Sequence, residues 1–377
     1  MKKTVRAAVL GVGSELTSGQ IGNSNALWIS QRLKAMGLLT STHLVVPDDK
    51  SLILDGLEFC AQKSDLIFVT GGLGPTSDDF TRDLISQWSK LDLEFDPATW
   101  DHIVERLRFR GIATEEFQKQ QCYFPKRSTI LKNTLGTAHG FYLHANHKDI
   151  FVLPGPPREI EAIWKDHVFP WLVNFTEKID RHVTLSWDIL GKSEGELARI
   201  TEDILRGSGL EIGYRVHMPY VEIKVSFFQS ERSQFENFIS MLDQSLSALT
   251  VSRQGEDIVN LFCEKLKNYD SIHFLDEITS GYLVQRLQTS FRNQGLWKNK
   301  KISFSTARGS FLEDTSLRHG IIFKLIAGDS LKAKAQWHSN DKHGESVFSS
   351  PYPQAAMEER RNQYFAEQAL IFWSKSL

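Results

Sequence analysis

Residues 65–90 constrain the fold more tightly than any other stretch of the chain. Asp65-Leu66-Ile67-Phe68-Val69 is a short apolar run rich in β-formers, which reads as a buried strand. It leads directly into Thr70-Gly71-Gly72-Leu73-Gly74-Pro75-Thr76-Ser77-Asp78-Asp79-Phe80-Thr81, and Arg82 to Lys90 continues with helical spacing. A glycine-rich turn between a buried strand and a helix lets backbone N–H groups approach a phosphate closely. Asp78 and Asp79 place two carboxylates where such a cradle would hold an anion, and two acids beside a phosphate repel it unless a divalent cation sits between them. The turn therefore predicts a metal-assisted phosphate site. The bland alternative is a structural turn in which Asp79 caps the following helix. The segment is not a P-loop, because no Gly-Lys-Ser/Thr follows, and it is not the dinucleotide fingerprint, because the spacing differs and the acids come too early.

The flanking sequence extends this unit into an α/β fold. Residues 4–12 read as a strand, Asn23 to Met36 as a helix ended by Gly37, 39–46 as a strand, 50–63 as a helix and 65–70 as a strand. That alternation predicts a parallel sheet with helices on both faces, and ligands bind such sheets outside the carboxyl ends of the strands. Three loops fall there, Gly11 to Gly19, Val46 to Lys50 and Gly71 to Asp79, carrying Glu15, Asp48 and the Asp78/Asp79 pair. For Asp48 and Asp49 the competing role is a helix N-cap.

The chain has 377 residues, enough for two or three domains. A net charge of −2 gives no electrostatic case for nucleic acid binding. Cys60, Cys122 and Cys263 are far apart without metal-ligand spacing, which fits a reducing cytoplasm. Met1-Lys2-Lys3 resembles a signal-peptide start, but the apolar run behind it is short and broken by Gly11 and Gly13, so a first buried strand is the preferred reading. No run is long enough to span a membrane.

Residues 97–121 read as helical. Gly140 to Leu143 and Asp149 to Leu153 read as a hairpin, and Pro154-Gly155-Pro156-Pro157 opens a helix through Trp164. From about Arg181 to Leu249 a small α+β unit is expected: a strand at Val183–Leu190, a capping box at Ser193 and Glu196, strands at Glu211–Val216 and Val221–Phe227, and a helix from Glu231. His217 and Arg215 are read there as sheet-face residues, and the unit as a packing or dimerisation element. Beyond Gly255, helices are expected at 256–267, 279–292 and 353–375, with strands at 271–275, 301–305, 320–327 and 332–337. The apolar face of Gln354 to Leu377 reads as core, and Lys298 to Lys301 as a solvated basic turn.

Taken together, these motifs closely resemble the CinA (competence/damage-inducible) family. Gly71 to Thr81 matches its signature almost throughout. Gly13-Ser14-Glu15-Leu16 with Gly19 and Asn25 matches its first loop. Lys119-Gln120, Asn133 to Gly140 and Leu153 to Glu159 match later ones. The chain departs from the family at Phe117, where Asn is usual, at His139, where Pro is, and at Pro156, where Val is. The resemblance implies a molybdopterin-binding-like domain over 1–175, a KH-like α+β domain over 176–253, and an amidohydrolase-like domain over 254–377. In the family the third domain deamidates a nicotinamide nucleotide with a serine in Glu-Ser-Cys-Thr-Gly-Gly. The nearest segment here is Asp276-Glu277-Ile278-Thr279-Ser280-Gly281, whose Ile278 cannot attack a carbonyl, and no Tyr-x-x-Lys follows, so that activity is expected to be lost. Thr279 or Ser280 is the only nearby substitute.

For the first domain the resemblance implies a divalent-metal-dependent ADP-ribose pyrophosphatase giving AMP and ribose 5-phosphate, with Mg, Mn or Co as cofactor. Gly71, Gly72, Gly74, Thr76, Lys119, Gly136 and Thr137 are the expected phosphate contacts, and Asp48, Asp78 and Asp79 the expected metal ligands. Glu15 is the candidate for orienting or deprotonating the attacking water, and Thr81 for orienting the loop. The rivals are a non-catalytic pterin or nucleotide binder, a scaffold, and molybdopterin adenylylation. The expected partner is a nucleotide, with no nucleic acid and no membrane, in a cytoplasmic homodimer.

Overall fold

The computed structural model describes residues 3–306, 320–328, 331–339 and 342–377. Met1 and Lys2 of the apparent signal-peptide start lie outside these residues, as do 307–319, part of the stretch where a Tyr-x-x-Lys pair was sought. The chain divides into two compact units, 1–183 with 228–230, and 184–227 with 231–377.

In the first unit the expected alternation is present as β1 (Arg6–Val12), α1 (Ser24–Ala35), β2 (Leu39–Val46), α2 (Lys50–Lys63), β3 (Leu66–Thr70) and α3 (Thr81–Ser89). It continues with α4 (Pro97–Phe109), β4 (Thr129–Leu131), β5 (Gly140–Ala145), β6 (Lys148–Leu153) and α5 (Pro157–Ile163). The sheet order is β2-β1-β3-β6-β5-β4. The first four strands are parallel, and β5 and β4 are antiparallel additions. Both faces are covered, so successive residues of one strand enter different cores. Ala8, Leu10 and Val12 of β1 pack with Ile53 and Leu57 of α2 and Leu84 of α3. Ala7 and Val9 pack with Ile29 and Leu33 of α1 and Ile160 and Ile163 of α5. The connection from β1 to β2 and that from β2 to β3 run to opposite sides of β1. That makes the β1/β3 edge a topological switch point, where a crevice opens at the carboxyl ends.

Two helical expectations change. The helix expected over 97–121 ends at Phe109, because Gly111 adopts φ +69 in the turn that follows, and Glu116–Cys122 forms a separate 3-10 helix. The helix from Pro157 runs past Trp164, through a π turn at Trp164–Val168, into Phe169–Thr176.

The second unit contains β7 (His182–Leu190), α6 (Glu194–Leu205), β8 (Glu211–His217), β9 (Tyr220–Phe228), α7 (Arg232–Leu246) and β10 (Thr250–Arg253), with sheet order β8-β9-β7-β10. The capping box is present: Ser193 Oγ accepts from Glu196 N–H, and Ser193 N–H donates to the Glu196 carboxylate at 2.9 Å. Next come α8 (Ile258–Leu266), β11 (Ser271–Asp276), α9 (Tyr282–Asn293), β12 (Lys301–Ser305), β13 (Gly320–Ala327), β14 (Lys332–Ser339), β15 (Lys342–Ser349) and α10 (Glu358–Ser376). These form a sheet of order β12-β11-β13-β14-β15. Strand β15 was not expected. It is an edge strand whose exposed residues alternate with only half-buried ones, so its sequence lacks an apolar stripe. The apolar face of α10 is core, with Leu370 and Trp373 fully buried.

Candidate active site

At the switch point of the first unit an open cleft of about 610 Å³ lies between the strand-end loops. Glu15, Asp48, Asp78, Asp79, Gly71, Gly72, Gly74, Gly136 and Thr137 all line it. Thr76 and Lys119 do not. Asn25, Arg110, Gln121 and Glu159 line it without having been singled out as site residues from sequence.

The glycine turn is clamped from beneath. Gly71 has φ +100, and a Cβ there would sit 2.2 Å from the Val12 carbonyl oxygen; Gly72 has φ +66, and a Cβ there would sit 2.1 Å from Thr81 Oγ1. Only glycine fits both backbone shape and space. The fully buried Thr81 donates its hydroxyl to the Gly71 carbonyl at 2.9 Å, the loop-orienting role expected of it. Arg82, 2% exposed, donates to the Leu73 and Gly74 carbonyls at 2.8 and 3.0 Å. Burial pulls this guanidinium down to about 10, so it remains charged at neutral pH. Gln120 and Gln121 tie down the carbonyls of Thr76, Asp79 and Leu73.

The two adjacent acids have different jobs. Asp79 accepts from Gly74 N–H at 2.8 Å, Thr76 N–H at 2.9 Å and the Thr76 hydroxyl at 2.5 Å. Both its oxygens therefore help to fold the turn, and neither caps α3, which has no side-chain cap. Asp78 is exposed. The nearby Thr76 hydroxyl, and then its own backbone N–H, hold it below the usual carboxylate range. A similar division separates Asp48 and Asp49. Asp49 caps α2 through Ser51 and Leu52 N–H, both at 3.0 Å. Asp48 reaches across to the first loop, where its Oδ2 accepts from Ser14 N–H at 2.8 Å and the Ser14 hydroxyl at 2.9 Å. The Glu15 carboxylate lies beside Gly13, where a Cβ would come within 2.7 Å of it.

Most of the expected phosphate contacts are already engaged. Gly71 N–H donates to the Leu153 carbonyl at 3.1 Å. Gly74 and Thr76 N–H are held by Asp79, and Gly136 N–H donates to Asn133 Oδ1 at 3.0 Å. Lys119 pairs with Glu116 at 2.8 Å and lies 5.4 Å over the Trp100 ring. These five groups already have partners within the protein. Gly72, Leu73 and Thr137 line the cleft, and their N–H groups make no hydrogen bond among the described residues.

The opposite wall rests on Asn133. It is fully buried, and its Nδ2 donates to Glu159 at 2.7 Å and to the Ala138 carbonyl at 2.9 Å. His139 lies beneath it as a buried neutral ring whose Nδ1 accepts from Asn133 N–H at 3.0 Å. Burial, with the His102 ring 4.4 Å away, pulls His139 down to about 4. The departure at His139 thus supports the loop from below. Phe117 is half-exposed on the Glu116–Cys122 helix. Asn25, in the first turn of α1, donates to the Gly155 carbonyl at 2.8 Å.

Comparison with known proteins places this cleft in a family. The family described as "Probable molybdopterin binding domain" matches residues 8–174, which take in nearly all of the six-stranded sheet. A competence-damage inducible protein of Caldicellulosiruptor saccharolyticus is 32% identical over 64% of this chain, and the chain spans 59% of that relative's length. The corresponding protein of Clostridium novyi is 28% identical over 89% of this chain and 83% of its own. A CinA-like protein of Citrifermentans bemidjiense is 29% identical over 80% of this chain and 73% of its own.

The chain belongs to the CinA family.

The resemblance drawn from Gly71–Thr81 and the later motifs is therefore borne out, as is the α/β class with its parallel-sheet first domain. CinA-family sequence signals could have pointed to Glu159, which sits in the Leu153–Glu159 motif. Arg110 carries no such signal, because it reaches the cleft only through the early stop of α4. In the second unit, the segment aligned with the family's nucleophile is a helix-capping turn. Asp276 accepts from Ile278 and Thr279 N–H and from the Thr279 hydroxyl, and Leu283 N–H donates to Thr279 Oγ1 at 3.0 Å. Thr279 is 3% exposed. Asp188, His217 and Glu222 also converge, with ligand atoms within 4.8 Å of one another. Ser252 donates to Asp188, while Arg215 and Lys224 neutralise Glu222. No helix among the described residues is long and apolar enough to cross a membrane.

Proposed function

We propose that the first unit hydrolyses a nucleoside diphosphate sugar such as ADP-ribose, giving AMP and ribose 5-phosphate, in a reaction dependent on Mg²⁺, Mn²⁺ or Co²⁺. The observation that carries this reading is the meeting of Glu15, Asp48 and Asp78, from three separate strand-end loops, in one cleft beside the unpaired Gly72 and Leu73 N–H groups. The donor set is all oxygen, which suits a hard divalent cation. Asp48 commits one oxygen to Ser14 and has the other to offer, and Asp78 is exposed and ionised at neutral pH. Asp48 and Asp78 would hold the cation, whose contribution when bound is to offset charge on the phosphate oxygens. Gly72, Leu73 and Thr137 would donate to the diphosphate, and Glu15 would orient or deprotonate the attacking water. Leu16, Ile21 and Pro154 add apolar surface to the cleft lining, which suits a nucleoside.

The second unit is proposed to have lost nicotinamide-nucleotide deamidation, since Ile278 has no nucleophilic atom and the Thr279 hydroxyl is buried and committed. A cytoplasmic homodimer supported by that unit completes the proposal, and truncation at about residue 255 with a solution mass measurement tests it. The occupied N–H groups of Gly71, Gly74 and Gly136 favour one competing reading, a nucleotide or pterin binder without turnover. Incubation with ADP-ribose and each of the three metals separates the two. Release of AMP is expected. A folded sample that binds nucleotide yet forms no AMP with any metal would leave binding as the function.

A further inference from the structure

The cleft is rich in carboxylates and poor in compensation for an anionic substrate. Glu15, Asp48, Asp78, Asp79 and Glu159 line it, and Arg110 is the one cationic side chain among its described lining residues. Two other cations near the turn are engaged elsewhere. Arg82 lies under the loop on two carbonyls, and Lys119 is held by Glu116 and faces Trp100.

We propose that Arg110 is the side chain that binds the substrate's diphosphate, on the wall opposite the cation-binding acids, a role that rests on the reading of the cleft as a nucleoside-diphosphate site. Its position follows from the local fold. Helix α4 stops at Phe109, Gly111 turns the chain at φ +69, and the exposed Arg110 lines the cleft. One guanidinium nitrogen, Nη2, donates to the Leu135 carbonyl at 3.0 Å, next to Gly136 and Thr137. That single anchor leaves Nε and Nη1 to donate, and a guanidinium fork matches two oxygens of one phosphate. Thr137, with no hydrogen bond among the described residues, lies on the same wall. Asp48 and Asp78 come from β2 and the glycine turn, so a diphosphate spanning the cleft meets carboxylate-bound cation at one end and guanidinium at the other.

The test is calorimetric titration of the full chain, in Mg²⁺, with ADP and with adenosine. Arg110→Gln is expected to weaken ADP binding about 10- to 100-fold and leave adenosine unchanged, the scale of losing a charge-assisted pair. Arg110→Lys should recover part of the loss, and Lys119→Gln should stay within about twofold of wild type. Wild-type ADP affinity in Arg110→Gln, or loss of ADP binding in Lys119→Gln, would overturn the assignment. A wild-type chain that binds neither probe would overturn the nucleotide reading and this one with it. A chain that turns over ADP-ribose with affinity independent of Arg110 would overturn this assignment alone.

Discussion

Replacing Asp79 with asparagine separates loop architecture from chemistry. In the native turn one oxygen accepts from Gly74 N–H, and the other accepts from Thr76 N–H and the Thr76 hydroxyl. An asparagine keeps one carbonyl acceptor and turns an NH₂ toward the rest, so it preserves either the Gly74 bond or the Thr76 pair, not both. Hydrogen bonds to charged groups contribute about 1.5–3 kcal/mol each in protected sites, and half-exposure at Asp79 lowers that to about 1 kcal/mol. The net loss is about 1–2 kcal/mol. For a unit of this size that is a fall of about 2–8 °C in Tm, readable by differential scanning calorimetry or circular dichroism. Asp78→Asn removes an exposed carboxylate whose link to this network is the nearby Thr76 hydroxyl, and should move Tm by less than about 1 °C. If Asp79→Asn melts like wild type while losing metal affinity, Asp79 is a ligand after all, and the division of labour between the two acids is wrong.

Further expectations concern the loop, the buried histidine and the second unit. Gly72→Ala combines φ +66 with a methyl 2.1 Å from Thr81 Oγ1, so it should cost at least about 2 kcal/mol and disorder the turn; an unchanged Tm with full activity would contradict the geometry. His139 is neutral in the folded state at about 4, below its ordinary value of 6.5, so the unfolded chain binds the extra proton first. Its contribution is complete above about pH 6.5 and is lost as pH falls toward 4, about 3 kcal/mol in all. Urea melts from pH 7 to 4.5 should show this, and an NMR titration that finds His139 protonated at pH 6 would refute it. For the second unit, the full chain should release no ammonia from nicotinamide mononucleotide, and ammonia release would show a nucleophile other than residue 278.

Much of the first unit was legible because its strands and helices repeat their apolar residues cleanly. The helix at Lys50–Lys63 and the strand at Leu39–Val46 fall where the periodicity puts them. The acids were legible as a group because parallel topology sends every strand end to one side. Their separate roles were not legible. Whether Asp79 folds a turn or holds an ion depends on hydrogen bonds that close only when Gly74 and Thr76 adopt their final positions. The same holds for the Gly71 and Gly136 N–H groups, whose acceptors, Leu153 and Asn133, are fixed by tertiary and loop structure. Arg110 was hidden because periodicity carried the helix through to residue 121, and a positive φ at Gly111 is not visible to periodicity. Strand β15 was hidden because an edge strand takes its stability from its neighbour β14 and not from an apolar face of its own.

The most direct measurement is AMP release from ADP-ribose by wild type and by Asp78→Asn, compared at saturating Mg²⁺, Mn²⁺ and Co²⁺ with Tm recorded for both. Removing a carboxylate that holds the cation should cut turnover by at least about 100-fold while Tm stays put. An Asp78→Asn chain that releases AMP at the wild-type rate would contradict the claim that the glycine turn is where this chain does its chemistry.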